Sequence, residues 1–236
     1  MKNTIGIIGN GSFGSFLVRK LTKRFKVLVH DPFDMPEKTY DASLEEISRC
    51  AFIILAIPID AYRKVLPQLK PLITKDTTIV DISSVKTEPV QLLDELLPGQ
   101  KRVVTHPLFG PQSAEKSYWG HVVIMCPSVS DSNSYAKIKD FVISEGLAVV
   151  EKTPEEHDKE MAYAQGLTFF LARALLKTGV HDVSLHTPSF KKLLDLAELE
   201  SHHSEELFKT IQQGNPYVSE IRKTFLKEAQ DLDKSL

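Results

Sequence analysis

Seven residues near the middle of the chain, Thr105-His106-Pro107-Leu108-Phe109-Gly110-Pro111, set an imidazole between an apolar run and a glycine turn. Histidine changes charge near neutral pH, so one placed at the mouth of a ligand crevice can take a proton from a substrate hydroxyl. A second segment, Asp81-Ile82-Ser83-Ser84-Val85-Lys86, also follows an apolar run and offers two hydroxyls. A third, Gly9-Asn10-Gly11-Ser12-Phe13-Gly14, has the GxGxxG spacing. Three glycines can mark any tight turn. This turn follows a strand pattern, opens a helical one, and is followed after the second strand pattern by Asp31, which is the context a dinucleotide site requires.

In that reading Gly9 permits the turn, Gly11 lets backbone approach a pyrophosphate, and Gly14 lets helix and strand pack closely. The free N–H groups opening the helix, around Asn10, Ser12 and Phe13, then face the phosphates. Asp31 would accept hydrogen bonds from ribose hydroxyls and repel a 2′-phosphate. No arginine follows nearby, so NAD is expected and NADP disfavoured. Ile57 and Pro58 at the end of the third strand, and Ser83 after the fourth, complete the expected cofactor rim. The chemistry would be proton removal by His106 from a hydroxyl whose carbon gives up a hydride. The plainer alternatives are a core histidine closing a loop, a ligand-free glycine turn, and a surface Asp31 starting a turn at Pro32.

The elements that must position these groups are legible as periodicity. Apolar runs at Thr4–Ile8, Lys26–His30, Ala51–Ile57, Thr78–Ile82, Arg102–Thr105 and His121–Cys126 read as strands, with Ala148–Glu151 as a seventh. Helical patterns fall at Phe13–Arg24, Ser43–Arg49, Asp60–Leu69, Pro89–Leu97 and Asn133–Glu145. The alternation predicts an α/β fold, a Rossmann-like doubly wound parallel sheet. It places His106 and the serines just past the carboxyl ends of strands, where ligands of open sheets gather. From Thr153-Pro154-Glu155-Glu156, a helix start, the pattern becomes wholly helical, with breaks near Thr187-Pro188-Ser189 and Gly214-Asn215-Pro216. The expected organisation is a dinucleotide-binding domain over 1–152 and a small helical substrate and dimerisation domain over 153–236.

Composition fits a globular protein, with 42% hydrophobic and 25% charged residues and a formal net charge of −2. That balance gives no electrostatic case for nucleic acid or an anionic membrane. The longest apolar run, Ala51 to Ile59, is far too short to cross a bilayer. Cys50 and Cys126 read as buried thiols of a reducing compartment. With Thr4–Ile8 already a strand, no targeting peptide is expected, and the location is expected to be cytoplasmic. The helical part has little core of its own. Its apolar positions Leu193, Leu194, Leu196, Ala197 and Leu199 predict a homodimer built on these helices.

Taken in order, GNGSFG, DISSVK, THPLFGPQS and EEHDKEMAYAQGL resemble the prephenate/arogenate dehydrogenase family over residues 4 to about 176. The resemblance implies oxidative decarboxylation of prephenate or arogenate, giving 4-hydroxyphenylpyruvate or tyrosine, with NAD as cofactor. It implies His106 as the catalytic histidine and Ser84 as the serine bonded to it. It implies Gly110, Pro111, Gln112 and Ser113 as a substrate loop, and His157, Asp158 and Gln165 at the start of a long interdomain helix, Gln165 counting among the substrate-binding residues. The substrate is a small anion, and the family holds a carboxylate with an arginine of the helical part. The corresponding segment here reads Ser189-Phe190-Lys191-Lys192-Leu193, leaving Arg173 as the chosen candidate ahead of Lys191 and Arg222, which read as solvated charges. The family's helical part is longer than one ending at Leu236. The alternatives are a related Rossmann dehydrogenase acting on another small acid, and a dinucleotide-binding module without catalysis.

No metal site is expected. His202-His203 with Glu205-Glu206 has a suggestive composition but lacks a third ligand, and reads as a solvated helix face. His157 beside Asp158 reads as ordering the domain junction. Trp119 would wall the pocket or plug the core.

Overall fold

The computed structural model describes residues 4–31, 42–114, 116–127 and 132–236. The chain divides into two compact units, Met1–Glu155 and Glu156–Leu236. The turn expected at Pro32 lies outside the described residues.

The first unit is a seven-stranded, mostly parallel sheet with helices on both faces, the Rossmann-like architecture the alternation implies. Its strands are β1 (Thr4–Ile8), β2 (Lys26–His30), β3 (Phe52–Leu55), β4 (Thr78–Asp81), β5 (Lys101–Pro107), β6 (Val122–Cys126) and β7 (Ala148–Glu151). They lie in the order β2-β1-β3-β4-β5-β6-β7. The order reverses between β1 and β3, so the carboxyl ends there form the crevice where such sheets bind ligands. The helices are α1 (Ser12–Leu21), α2 (Leu44–Ser48), α3 (Ile59–Leu69), α4 (Thr87–Leu96) and α5 (Ser132–Ser144). Successive strand residues point to opposite faces. Ile8, Ile53, Ile79 and Val104 pack with Ile47, Leu66 and Leu93, while Ile7 and Val29 pack with Val18 and Leu21. Helix α2 starts where its sequence says it should. Ser43 accepts from the Glu46 N–H, and Glu46 accepts from the Ser43 N–H, a reciprocal cap.

One strand pairing departs from the parallel arrangement. Strand β6 runs antiparallel to β5, with Thr105 opposite Met125 and His106 opposite Ile124. A parallel return needs a crossover, usually helical, and among the described residues between β5 and β6 there is none. The same pairing extends β5 to Pro107, so His106 stands inside a strand rather than in a loop beyond one.

The second unit holds α6 (Pro154–Met161), a π-helical turn at Ala162–Leu167, α7 (Thr168–Lys177), α8 (Pro188–Ser201), α9 (Glu205–Gly214) and α10 (Val218–Lys234). Helix α6 begins at the proline its sequence marks. Thr187 and Ser204 cap α8 and α9 by accepting the N–H groups of Phe190 and Leu207. The break at Asn215 is structural as well as local, because its buried amide donates to the Asp158 carbonyl at 2.7 Å. Helix α10 lies so close to the π turn that a Cβ on Gly166 would overlap Val218. Among the described residues no helix is long and apolar enough to cross a membrane.

Candidate active site

The rim formed by the carboxyl ends of β1, β2, β3, β4 and β5 carries the first unit's predicted site residues. Gly9 follows β1 with φ +102, a backbone conformation that favours glycine, and a Cβ there would overlap the Ala56 carbonyl after β3. A Cβ on Gly14 would overlap the Gly9 carbonyl, so the α1 helix is pressed onto the turn. Around Gly11 the situation is opposite, since a Cβ would meet nothing within 4 Å. The glycines therefore differ in their surroundings, two at close packing and one facing open space at a helix start. No side chain caps the helix at Gly11. Open space beside uncapped helical N–H groups suits an anionic pyrophosphate.

Asp31, directly after β2, accepts a hydrogen bond from the Asn10 N–H at 3.1 Å. Asn10 is held in turn by Ser15, whose hydroxyl lies 2.8 Å from the Asn10 carbonyl and 2.9 Å from Oδ1. Phe13 and Phe16 line one face of α1 and meet Phe109 at ring separations of 6.1 and 6.2 Å. The glycine turn's helix and the segment after His106 are thus joined by aromatic packing. Ile57 is buried after β3, and Pro58 precedes α3 as its N-cap. These residues fit a dinucleotide.

His106 is 3% exposed. Its neighbour in the strand ladder is Ile124, and Gly110 to Ala114 form a turn beginning four residues on, closed by the Ala114 N–H to the Gly110 carbonyl at 3.0 Å. Ser113 folds back on this turn, its hydroxyl 3.0 Å from the Gly110 N–H, while Gln112 is exposed and Pro111 half-buried. Ser84 is half-buried after β4. Ser83 is committed inward. Its hydroxyl donates to the Val85 carbonyl at 2.8 Å, and its N–H donates to Asp81 at 3.2 Å.

Sequence reading missed the polar group beneath this rim. Asp81, Lys86 and Tyr62 are fully buried. Tyr62 donates to Asp81 Oδ1 at 2.6 Å, and Lys86 Nζ pairs with Asp81 Oδ2 and donates to the Thr105 carbonyl at 2.6 Å. Burial, then the adjacent Asp81 charge, push the Tyr62 phenol well above its usual range. One sequence signal could have found the group, a carboxylate ending an otherwise apolar strand, which calls for a countercharge nearby.

In the second unit, Gln165 sits in the π turn with a buried Oε1 that has no hydrogen-bond partner among the described residues. Arg173 is not the uncommitted cation the sequence suggested. Its Nε and Nη2 bond to Glu200 at 3.2 and 2.9 Å, and its Nη1 to Glu205 at 2.6 Å. The buried Glu200 carboxylate accounts for this, because it needs a partner. Arg222 is likewise no solvated charge. It donates to the buried Gln212 at 2.7 Å, which donates to the Gly166 carbonyl at 2.7 Å. Lys191 is exposed. His203 also departs from expectation. It lies in the turn between α8 and α9, stacked on Phe169 at 4.6 Å with Nδ1 3.0 Å from Glu200. His157 and Asp158 are buried together, 2.8 Å apart. In the first unit Trp119 is 78% exposed against Gly146, so it plugs no core.

Comparison with known proteins agrees with the motifs. Residues 37–151 match the family described as "Prephenate dehydrogenase, nucleotide-binding domain". A probable arogenate/prephenate dehydrogenase of Methanocaldococcus jannaschii is 28% identical over 258 residues, spanning 99% of this chain and 57% of that protein. Arogenate dehydrogenase 1 of Arabidopsis thaliana is 30% identical over 241 residues, spanning 94% of this chain and 37% of that protein. This chain thus spans well under two thirds of either relative. Among solved structures, prephenate dehydrogenase from A. aeolicus, in complex with hydroxyphenyl propionate and NAD+, superposes with a TM-score of 0.75 at 24% identity, covering 99% of this chain and 90% of that one. The resemblance first read from four short motifs therefore extends along nearly the whole chain.

Proposed function

We infer that this chain is a member of the prephenate/arogenate dehydrogenase family and an enzyme of tyrosine biosynthesis, catalysing NAD-dependent oxidative decarboxylation of prephenate or arogenate. The observation that carries the reading is His106, buried at the end of β5 on the same rim as the Gly9–Gly14 turn and Asp31. The similarity to relatives named for this activity supports it.

NAD, when bound, supplies the hydride acceptor. The chain's own residues do the rest. The helix start at Gly11 and the carboxylate of Asp31 bind and orient the dinucleotide, and the negative charge of Asp31 sets NAD above NADP. An imidazole nitrogen of His106 takes the proton of the substrate's C4 hydroxyl. Ser84 is its companion beside the nicotinamide, and Gly110, Pro111, Gln112 and Ser113 line the substrate's side of the rim. Loss of the ring carboxylate as CO₂ leaves an aromatic ring, so positioning and deprotonation are most of what the protein must provide. Gln165 and Arg173 are assigned to the small anionic substrate, Arg173 sharing its guanidinium with Glu200 and Glu205.

The dinucleotide-binding part is taken as 1–152 and the substrate and dimerisation part as 153–236. The protein is a cytoplasmic homodimer joined through the C-terminal helices, engaging neither nucleic acid nor membrane. Sedimentation showing a stable monomer would remove the dimer. The deciding experiment is reduction of NAD and of NADP with prephenate and with arogenate. Turnover with NAD on either acid is the expected result. No turnover on both, with NAD still bound, leaves a binding module. Turnover only on another small acid assigns a related dehydrogenase.

A further inference from the structure

Strand β4 ends at Asp81, in register with Val104, while β5 runs on through Thr105, His106 and Pro107 with β6 along its other edge. Over those three residues the β4 side of β5 has no strand. Lys86 stands there instead. Its ammonium reaches the Thr105 carbonyl at 2.6 Å, the Ser83 hydroxyl at 3.1 Å and the Asp81 carboxylate. These acceptors converge on the three donors of one ammonium, a geometry that a planar guanidinium does not reproduce.

The network closes on itself. The Thr105 hydroxyl donates to the Asp81 main-chain carbonyl at 2.9 Å, and Tyr62 holds the other carboxylate oxygen. Both the side chain and the carbonyl of the residue before His106 are therefore fixed by one wholly buried group. Strand alternation puts the side chains of Val104 and His106 on one face, and Asp81 is the register partner of Val104. Asp81 therefore projects from the same face of the sheet as His106, and Lys86 bonds both to Asp81 and to the residue before His106. A buried ion pair is a poor source of stability, because desolvation offsets its attraction, so its presence here calls for another account.

We propose that the Lys86–Asp81 pair is a positioning device for His106, Lys86 replacing the missing strand donor on the β4 side and so fixing the backbone from which the imidazole projects. The rate part of the test rests on the functional reading above. The spectroscopic part does not.

The test removes both charges together in Lys86→Met/Asp81→Leu, so that no unpaired charge stays buried. Lys86→Arg, which keeps the charge and changes the donor geometry, serves as the second variant. Imidazole ¹H–¹³C spectra report on the eight histidines, with the His106 signal identified by its loss in His106→Asn. In the folded variants the His106 signal is expected to shift or broaden while the others stay in place. Turnover is expected to fall about 10²-fold, as misplacement of a catalytic group commonly causes, with the KM for NAD unchanged. A parental His106 signal in either folded variant overturns the proposal, as does a moved signal with parental kcat. If the double variant does not fold, Lys86→Arg decides alone. If the parent protein turns over neither acid, the functional reading falls and the His106 signal still decides.

Discussion

The Asp31 carboxylate lies 3.1 Å from the Asn10 N–H and accepts its hydrogen bond, so the acid at the end of β2 braces the glycine turn after β1. In the proposed function it would act on the cofactor twice, through its own charge and through the shape of the turn. Asp31→Ser should lose both effects. A hydrogen bond to a charged group is worth about 1.5–3 kcal/mol, so kcat/KM for NAD should fall roughly ten- to a hundredfold while preference over NADP narrows. Steady-state kinetics with each cofactor measures this, and an unchanged NAD to NADP ratio would count against Asp31 as the discriminating residue.

For His106→Asn, turnover should drop by about 10²–10⁴-fold, the usual contribution of a positioned general base, with NAD affinity kept. Calorimetric binding beside initial rates separates the two quantities. A folded variant with near-parental kcat on both acids would sink the role.

Two glycines of one motif should fail differently. Gly11→Ala places its methyl in open space, so the melting temperature should hold while NAD affinity falls. Gly14→Ala drives a methyl into the Gly9 carbonyl, and overpacking of this kind costs about 1–3 kcal/mol of stability. Denaturant melts with and without NAD distinguish them, and equal stability losses would contradict the division of labour.

Tyr62 predicts an alkaline limit. Its folded pKa is raised above the ordinary 10.0, so the stability it confers is complete below that value and is lost as pH rises through it, where only the unfolded chain releases the proton. Tyr62→Phe should flatten the fall in stability above about pH 10, at the expense of a hydrogen bond to Asp81 at neutral pH. Urea melts across alkaline pH test it, and an unaltered slope would assign the limit to other groups.

Arg173→Met should separate two roles of one guanidinium. Leaving the buried Glu200 without its guanidinium, and with the His203 imidazole still 3.0 Å away, should destabilise the second unit, by at most about 3–5 kcal/mol. If Arg173 also holds the substrate, KM for the acid should rise in the surviving folded fraction while KM for NAD does not. A parental KM would reduce Arg173 to a structural residue.

The parts of this site that were legible in the sequence were those set by local rules. The Gly9–Gly14 turn, the Ser43 cap and the helix start at Pro154 each depend on residues a few positions apart. What stayed hidden depends on distant partners. Nothing in Val122–Cys126 states its direction, because an apolar strand reads alike both ways, so the extension of β5 over His106 was not foreseen. Lys86 reads as a surface lysine until Asp81, Tyr62 and Thr105 converge on it. Arg173 reads as available until Glu200 and Glu205, on other elements, are seen to claim it. The π turn at Gln165 has no local signature, and its Gly166 is explained only by Val218 of α10.

Because β6 reverses, the chain from Leu108 to His121 leaves and rejoins the sheet at one rim, closed by the Leu108 N–H to the Val122 carbonyl at 2.9 Å. Between its ends the excursion is tied down by Phe109 on Phe13 and Phe16, and by the Gly120 N–H to the Gly146 carbonyl at 2.7 Å. The stretch following His106 is thus a surface excursion whose two ends share one mount, the part of a fold where sequence change is most readily tolerated.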